Sequence, residues 1–181
     1  MKQKLLAEID PLMARHIDNL ADYSMDAADD GLVYTRMAYL ESLRIEPPAS
    51  ITAAQTLSRD VTLSGKKVGN TQVLPKIHFR KGDGLVFALE SIQRDPKQWI
   101  EPLKFIPERF DEKSEYFLRP NGEPRNPISF TPFIGGKRIC LGKTFAEITT
   151  KFTVPLLYYH FDFDYVEPKH KESKPLYTLG C

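Results

Sequence analysis

Apolar residues recur at three- and four-residue steps near both ends of the chain, and its middle holds short β-prone runs instead. Leu5, Leu6, Ile9, Leu12, Met13, Ile17 and Leu20 share a helical period, broken at Asp10-Pro11. A proline inside a helix removes a backbone bond, so the pattern predicts two helices meeting near Pro11. Asp26 to Gly31 reads as a polar connector. Val33, Met37, Leu40 and Arg44 then set a helix that Pro47-Pro48 ends. Residues 50–90 change character: Val61-Thr-Leu, Gln72-Val-Leu and Leu85-Val-Phe-Ala-Leu are short β-prone runs between turn signals at Ser64-Gly65, Lys81-Gly82 and Asp83-Gly84. They predict a small sheet. From Pro96 to Pro132 the chain is proline-rich and aperiodic, but Trp99, Phe105, Phe110, Tyr116 and Phe117 argue for an ordered coil rather than a flexible linker. Phe145, Ile148, Phe152, Leu156 and Tyr159 form one stripe, predicting a helix from Lys143 that bends or stops near Val154, ahead of Pro155.

The chain has 181 residues, enough for one domain with a sizeable core. Its net charge of +1 gives no electrostatic pull toward nucleic acid or an acidic membrane surface. Two cysteines exclude a disulfide framework and suit a reducing compartment. No stretch reaches the roughly 20 apolar residues of a membrane span, and Met1 is not followed by a signal peptide. His16, His78, His160 and His170 show no metal-ligand spacing. There are no repeats.

Chemistry concentrates in Phe133-Ile-Gly-Gly-Lys-Arg-Ile-Cys-Leu-Gly142. Cys140 lies two residues after Arg138 and just ahead of the predicted helix. Cations and helix N-termini both favour a thiolate. The helix's unpaired N–H groups would face the sulfur and tune a metal bound to it. Gly135, Gly136 and Gly142 would let backbone approach a flat cofactor, and Arg138 suits a carboxylate. Two other readings stay open on these residues alone. One is a structural cysteine. The other is a phosphate-binding loop, since Gly136-x5-Gly142-Lys143-Thr144 is one residue longer than the Gly-x4-Gly-Lys-Thr pattern.

Several motifs together resemble the C-terminal part of a cytochrome P450, a haem-thiolate monooxygenase. Leu40-Glu41-Ser42-Leu43-Arg44 with its trailing prolines resembles the family's Glu-x-x-Arg helix. Arg94-Asp95-Pro96 with Trp99, then Phe105-Ile106-Pro107-Glu108-Arg109-Phe110, resemble the run that leads into the family's meander. The cysteine loop follows, continued by Ala146 and Glu147. Tyr159-His160-Phe161-Asp162-Phe163 is similar to the strand after the last helix.

The resemblance implies an α+β, mainly helical fold: 1–48 helical, 49–92 small sheet, 93–132 meander and coil, 133–160 cysteine loop and helix, 161–181 terminal strand region. It implies haem (iron protoporphyrin IX) with Cys140 as axial ligand, and Phe133, Gly136, Arg138, Gly142 and Ala146 around it. Glu41, Arg44 and Arg109 would form a structural triad, already foreshadowed by Glu41 and Arg44 sharing a helix face at i and i+3. It implies an NADPH-dependent reductase or other electron donor, docking near Lys137, Lys143 and Lys151 if these form a patch rather than a solvated face. The substrate would be a small apolar molecule, and a eukaryotic parent would associate with the endoplasmic reticulum membrane.

The departures are specific. Gln93 stands where the family often has histidine. The region of a propionate-binding arginine holds Gln55, with Arg59 nearest. No acid–threonine pair of the distal helix is found, and the chain ends soon after the last strand. The resemblance therefore implies a fragment with the N-terminal part of the family domain absent, either a haem-binding portion or a non-catalytic product that binds haem weakly or not at all.

Overall fold

The computed structural model describes residues 1–19, 23, 31–68 and 71–163. Among these, four α-helices, a long irregular hairpin and a run of 3-10 turns form an α+β fold.

Helix α1 (Lys2–His16) is one helix with Pro11 inside it, where two were expected. Ala7, whose carbonyl Pro11 cannot serve, is an exposed residue, where a missing helix bond costs less than in the interior. The helix buries Leu5, Ile9, Leu12 and Met13, each worth about 1.5–3 kcal/mol when fully removed from water. Helix α2 (Val33–Ile45) begins at Leu32, which offers no capping side chain. Glu8 of α1 supplies the cap from outside: its Oε1 accepts from the Tyr34 amide at 2.6 Å and its Oε2 from the Thr35 amide at 3.0 Å. That contact sets α2 against α1 as well as satisfying amides that no helix can satisfy itself.

The connector at Asp26 to Asp30 and Leu20 lie outside the described residues. Val33 is 54% exposed, so the face of α2 turned inward is not led by it. Tyr34, Thr35, Glu41, Leu43 and Arg44 are the buried positions.

The expected β region is present as three two-stranded antiparallel ladders, which together make one long hairpin. β1 (Gln55–Thr56) pairs with β6 (Gly84–Leu85), β2 (Val61–Leu63) with β5 (Ile77–Phe79), and β3 (Lys66–Val68) with β4 (Thr71–Leu74). Each ladder nests inside the last, and a bridge from Ile51 to Ala88 closes the base. Val86 and Phe87 are not strand but exposed coil. Gly65 (φ +72°) and Gly82 (φ +95°) take the left-handed conformations that break the arms.

Helix α3 (Leu89–Gln93) leads into the coil, which is ordered by 3-10 turns at Pro107–Phe110, Glu115–Phe117 and Pro127–Ser129. Trp99, Phe110 and Phe130 pack within it, with ring centroids 5.0–6.3 Å apart.

Helix α4 (Lys143–His160) continues past Pro155 to His160, so the expected early end near Val154 does not occur. Pro155 is buried, and the carbonyl it cannot serve, that of Lys151, accepts the Tyr23 hydroxyl at 2.9 Å. Tyr23 itself sits edge-on to Phe152 at 4.9 Å. Burial pushes its phenol up to about 12, so it stays a donor. Tyr159 and His160 belong to this helix and not to a strand. Phe161 is extended, but residues 161–163 form no strand, and the rest of the terminal region lies outside the described residues.

Candidate functional site

Two arrangements make up the candidate site. The deeper is ionic. The carboxylate of Glu41 accepts from Arg44 Nε and Nη2, both at 2.8 Å, from Arg109 Nε at 3.0 Å and from the Ile106 amide at 2.9 Å. All three charged side chains are fully buried.

Two guanidiniums against one carboxylate leave an excess of positive charge, which main-chain carbonyls solvate. Arg44 donates to Gln93, Pro102 and Lys104, and Arg109 to Ile100, Glu101 and Lys104. The coil is irregular for this reason. Glu101 holds φ +46°, an uncommon conformation for a non-glycine residue, while its carbonyl meets Arg109 at 2.7 Å. Burial and the neighbouring Arg44 charge pull the Arg109 guanidinium below its usual pKa, opposed by Glu41.

A third arginine joins them. Arg125 donates to the carbonyls of Tyr116 (2.8 Å) and Arg109 (2.7 Å) and lies over the Trp99 ring at 4.4 Å, as Arg44 does at 5.1 Å. Burial first, then the Arg109 charge, lowers it to about 10, so it remains a cation at neutral pH. Its partners lie 9 and 16 residues upstream, with no local pattern to announce them.

The second arrangement is the cysteine loop. Phe133 is half-buried at its entry. Ile134 (φ +59°) and Gly136 (φ +66°) turn the chain, the 3-10 turn Gly136–Arg138 follows, and the Cys140 amide closes the loop onto the Phe133 carbonyl at 2.9 Å. The Cys140 carbonyl then accepts the Lys143 amide at 3.3 Å, where α4 starts with Gly142 as its cap residue.

Cys140 is a free, exposed thiol. A Cβ at Gly142 would stand 3.8 Å from its sulfur, whereas one at Gly135 or Gly136 would meet nothing within 4 Å. Its chain neighbours Ile139 and Leu141, and Phe145 in the first turn of α4, are 52%, 101% and 74% exposed. Arg138 is exposed beside it and Ala146 half-buried one turn into α4.

No group of three His, Cys, Asp or Glu side chains among the described residues could hold a bare metal ion. A lone thiol in an apolar, glycine-lined surface fits a different donor set: an iron that arrives already held in a flat ring and needs one more ligand from the protein. A phosphate-binding loop sits between a strand and a helix. Here the loop follows coil, and Lys143 lies 4.0 Å from Glu147 on the helix. Gln55 and Arg59 are exposed on the hairpin's arm.

The Cytochrome P450 family model matches residues 1–179, and the chain belongs to that family. It is 31% identical over 163 residues to cytochrome P450 3A5 of Homo sapiens, which spans 90% of this chain and 28% of that protein. It is 34% identical over 151 residues to cytochrome P450 4F5 of Rattus norvegicus (82% and 25%), and 29% identical over 170 residues to putative cytochrome P450 132 of Mycobacterium bovis (92% and 32%). The chain thus spans about a quarter to a third of the length of these relatives. No helix among the described residues is long and apolar enough to cross a membrane.

Proposed function

We propose that this chain is the C-terminal, haem-binding portion of a cytochrome P450 monooxygenase, with Cys140 as the axial thiolate of the haem iron. The observation that carries the reading is the closure of Phe133–Cys140 into a hydrogen-bonded loop that presents one exposed thiol among apolar side chains at the foot of α4.

In this reading the chain's residues divide the work. Phe133, Gly136, Gly142 and Ala146 shape the face on which the ring lies, the glycines by leaving room for it. Arg138 pairs with a propionate through its fork of donors. Glu41, Arg44 and Arg109 lock the coil of 93–132 beneath the loop, so their role is structural. Residues 1–48 and 49–92 form the helical and hairpin supports, and 161–181 the terminal region. When bound, haem supplies dioxygen activation, so that one oxygen atom enters an apolar organic substrate with electrons from an NADPH-dependent reductase or another donor. A basic patch of Lys137, Lys143 and Lys151 is where that donor would dock. A eukaryotic parent would be attached to the endoplasmic reticulum membrane.

The exposure of Leu141 and Phe145 favours a second reading, a non-catalytic product that binds haem weakly. Titration of the chain with haem, read by the carbon monoxide difference spectrum of the reduced form, separates the two. The first reading predicts saturable binding with a red-shifted band that Cys140→Ala removes. Weak, non-saturating binding would support the second, and a red-shifted band that survives Cys140→Ala would refute the assignment of Cys140.

A further inference from the structure

Helix α2 ends against two prolines. In a helix the amide of residue i+4 serves the carbonyl of residue i. The carbonyls of Leu43 and Arg44 would therefore look to positions 47 and 48, and both are proline, which has no N–H. The Ser42 carbonyl still receives the Glu46 amide at 2.8 Å. The next two receive one side chain from 50 residues away: Gln93 Nε2 donates to Leu43 at 2.9 Å and to Arg44 at 3.3 Å. Arg94, its neighbour, serves the Ile45 carbonyl. The substitution is reciprocal, because Arg44 Nη1 donates back to the Gln93 carbonyl at 2.9 Å.

Gln93 is fully buried, and its other side-chain atom is also engaged. Its Oε1 accepts the Thr131 amide at 3.2 Å. Thr131 opens the cysteine loop: its carbonyl takes the Ile134 amide at 3.0 Å, and two residues later the Phe133 carbonyl takes the Cys140 amide. One amide side chain thus joins the end of the helix that carries the ionic triad to the entry of the loop that carries the thiol.

We infer that Gln93 is a positioning residue for the Cys140 loop: it replaces the two amides that Pro47 and Pro48 lack and holds the Thr131 amide in register with them. Both of its functions, donor and acceptor, are needed together. An isosteric apolar chain leaves two helix carbonyls and one amide unpaired in the interior. A neutral imidazole keeps one donor and one acceptor, so histidine is the substitution that restores the link. The spectroscopic arm of the test rests on the proposed role of Cys140, whereas the exchange arm does not.

The test compares the 181-residue chain with Gln93→Met and Gln93→His by amide hydrogen exchange without haem, then by the carbon monoxide spectrum with haem. In Gln93→Met the amides of Thr131 and Cys140 exchange about tenfold faster, the loss of roughly one hydrogen bond, while those of α1 keep the parent's rates. Gln93→His returns them to parent values and keeps the band that Gln93→Met weakens. Parent rates at Thr131 and Cys140 in Gln93→Met, or an even loosening of the whole chain, would overturn the proposal. Should Gln93→Met fail to fold, Gln93→His decides: a folded variant with a protected loop supports the link, and a folded variant with an open loop overturns it. If the parent itself shows no red-shifted band, the role of Cys140 fails and the exchange result still stands.

Discussion

Glu41 and Arg109 are 68 residues apart in sequence and 3.0 Å apart in the fold, with neither side chain exposed. Because Arg44 shares the same carboxylate, one anion holds two cations that have no access to water.

Removing that anion is therefore costly. Glu41→Ala leaves two buried guanidiniums without a counter-charge and is expected to lower stability by about 3–5 kcal/mol. Urea unfolding followed by circular dichroism measures it. Exchange of the exposed pair Lys104–Glu101 for alanines should change stability by less than about 1 kcal/mol.

Tyr23 and Pro155 make a pair whose coupling has a definite sign. Tyr23→Phe removes the donor to the Lys151 carbonyl, at a cost of about 1 kcal/mol. Pro155→Ala restores an N–H to the helix, so in that background Tyr23→Phe should cost less. A double-mutant cycle by thermal or urea unfolding gives the coupling, and strict additivity would contradict the account.

The contact of Lys4 with Glu108 at 2.7 Å ties α1 to the 3-10 turn at Pro107–Phe110. Burial pushes the Glu108 carboxyl up, but hydrogen bonds from Lys4 and the backbone, with the Lys4 charge, hold it below its ordinary value of 4.5. A carboxyl lowered on folding favours the folded state above its unfolded pKa. This contribution is lost as pH falls from about there through the lower folded value. Stability of the parent should thus fall toward that of Lys4→Met across the acidic range, with the difference largest at neutral pH. A difference that grows on acidification would contradict the ion pair.

Gly136 takes φ +66° with open space around it. Gly136→Ala therefore introduces backbone strain and no collision, costing roughly 1 kcal/mol. Its expected signature is weaker haem binding, read by titration, with little change in the far-ultraviolet spectrum. A large loss of helix would contradict a local effect.

How much of this was legible follows from the reach of each interaction. The helical stripes of residues 5–13 and 145–159 report local periodicity, and the helices lie where the stripes place them. The prolines misled because the rule that a proline ends a helix assumes the orphaned carbonyl goes unserved. At Lys151 a tyrosine from elsewhere in the chain serves it, and Ala7 lies at an exposed position. The short β-prone runs announce a small sheet but not its pairing, because they do not say which arm of the hairpin each belongs to.

Glu41, Arg44 and Arg109 were singled out through motif resemblance, and the structure brings them together. Arg125, Glu8 and Gln93 were not singled out as contacts. Arg125 and Glu8 carry no motif, and Gln93 registered only as a departure from histidine. Each acts on backbone atoms, and backbone leaves no mark in a sequence. The exposure of Phe145 was equally hidden: it sits on the same stripe as Phe152, but only Phe152 packs against the core formed with α1.

The assignment of Cys140 is tested most directly by X-ray absorption at the iron edge of the haem-loaded chain and of Cys140→Ala. The account predicts a sulfur atom bonded to iron in the parent and none in the variant. Only nitrogen and oxygen neighbours in the parent, or a sulfur neighbour that persists after the substitution, would contradict it.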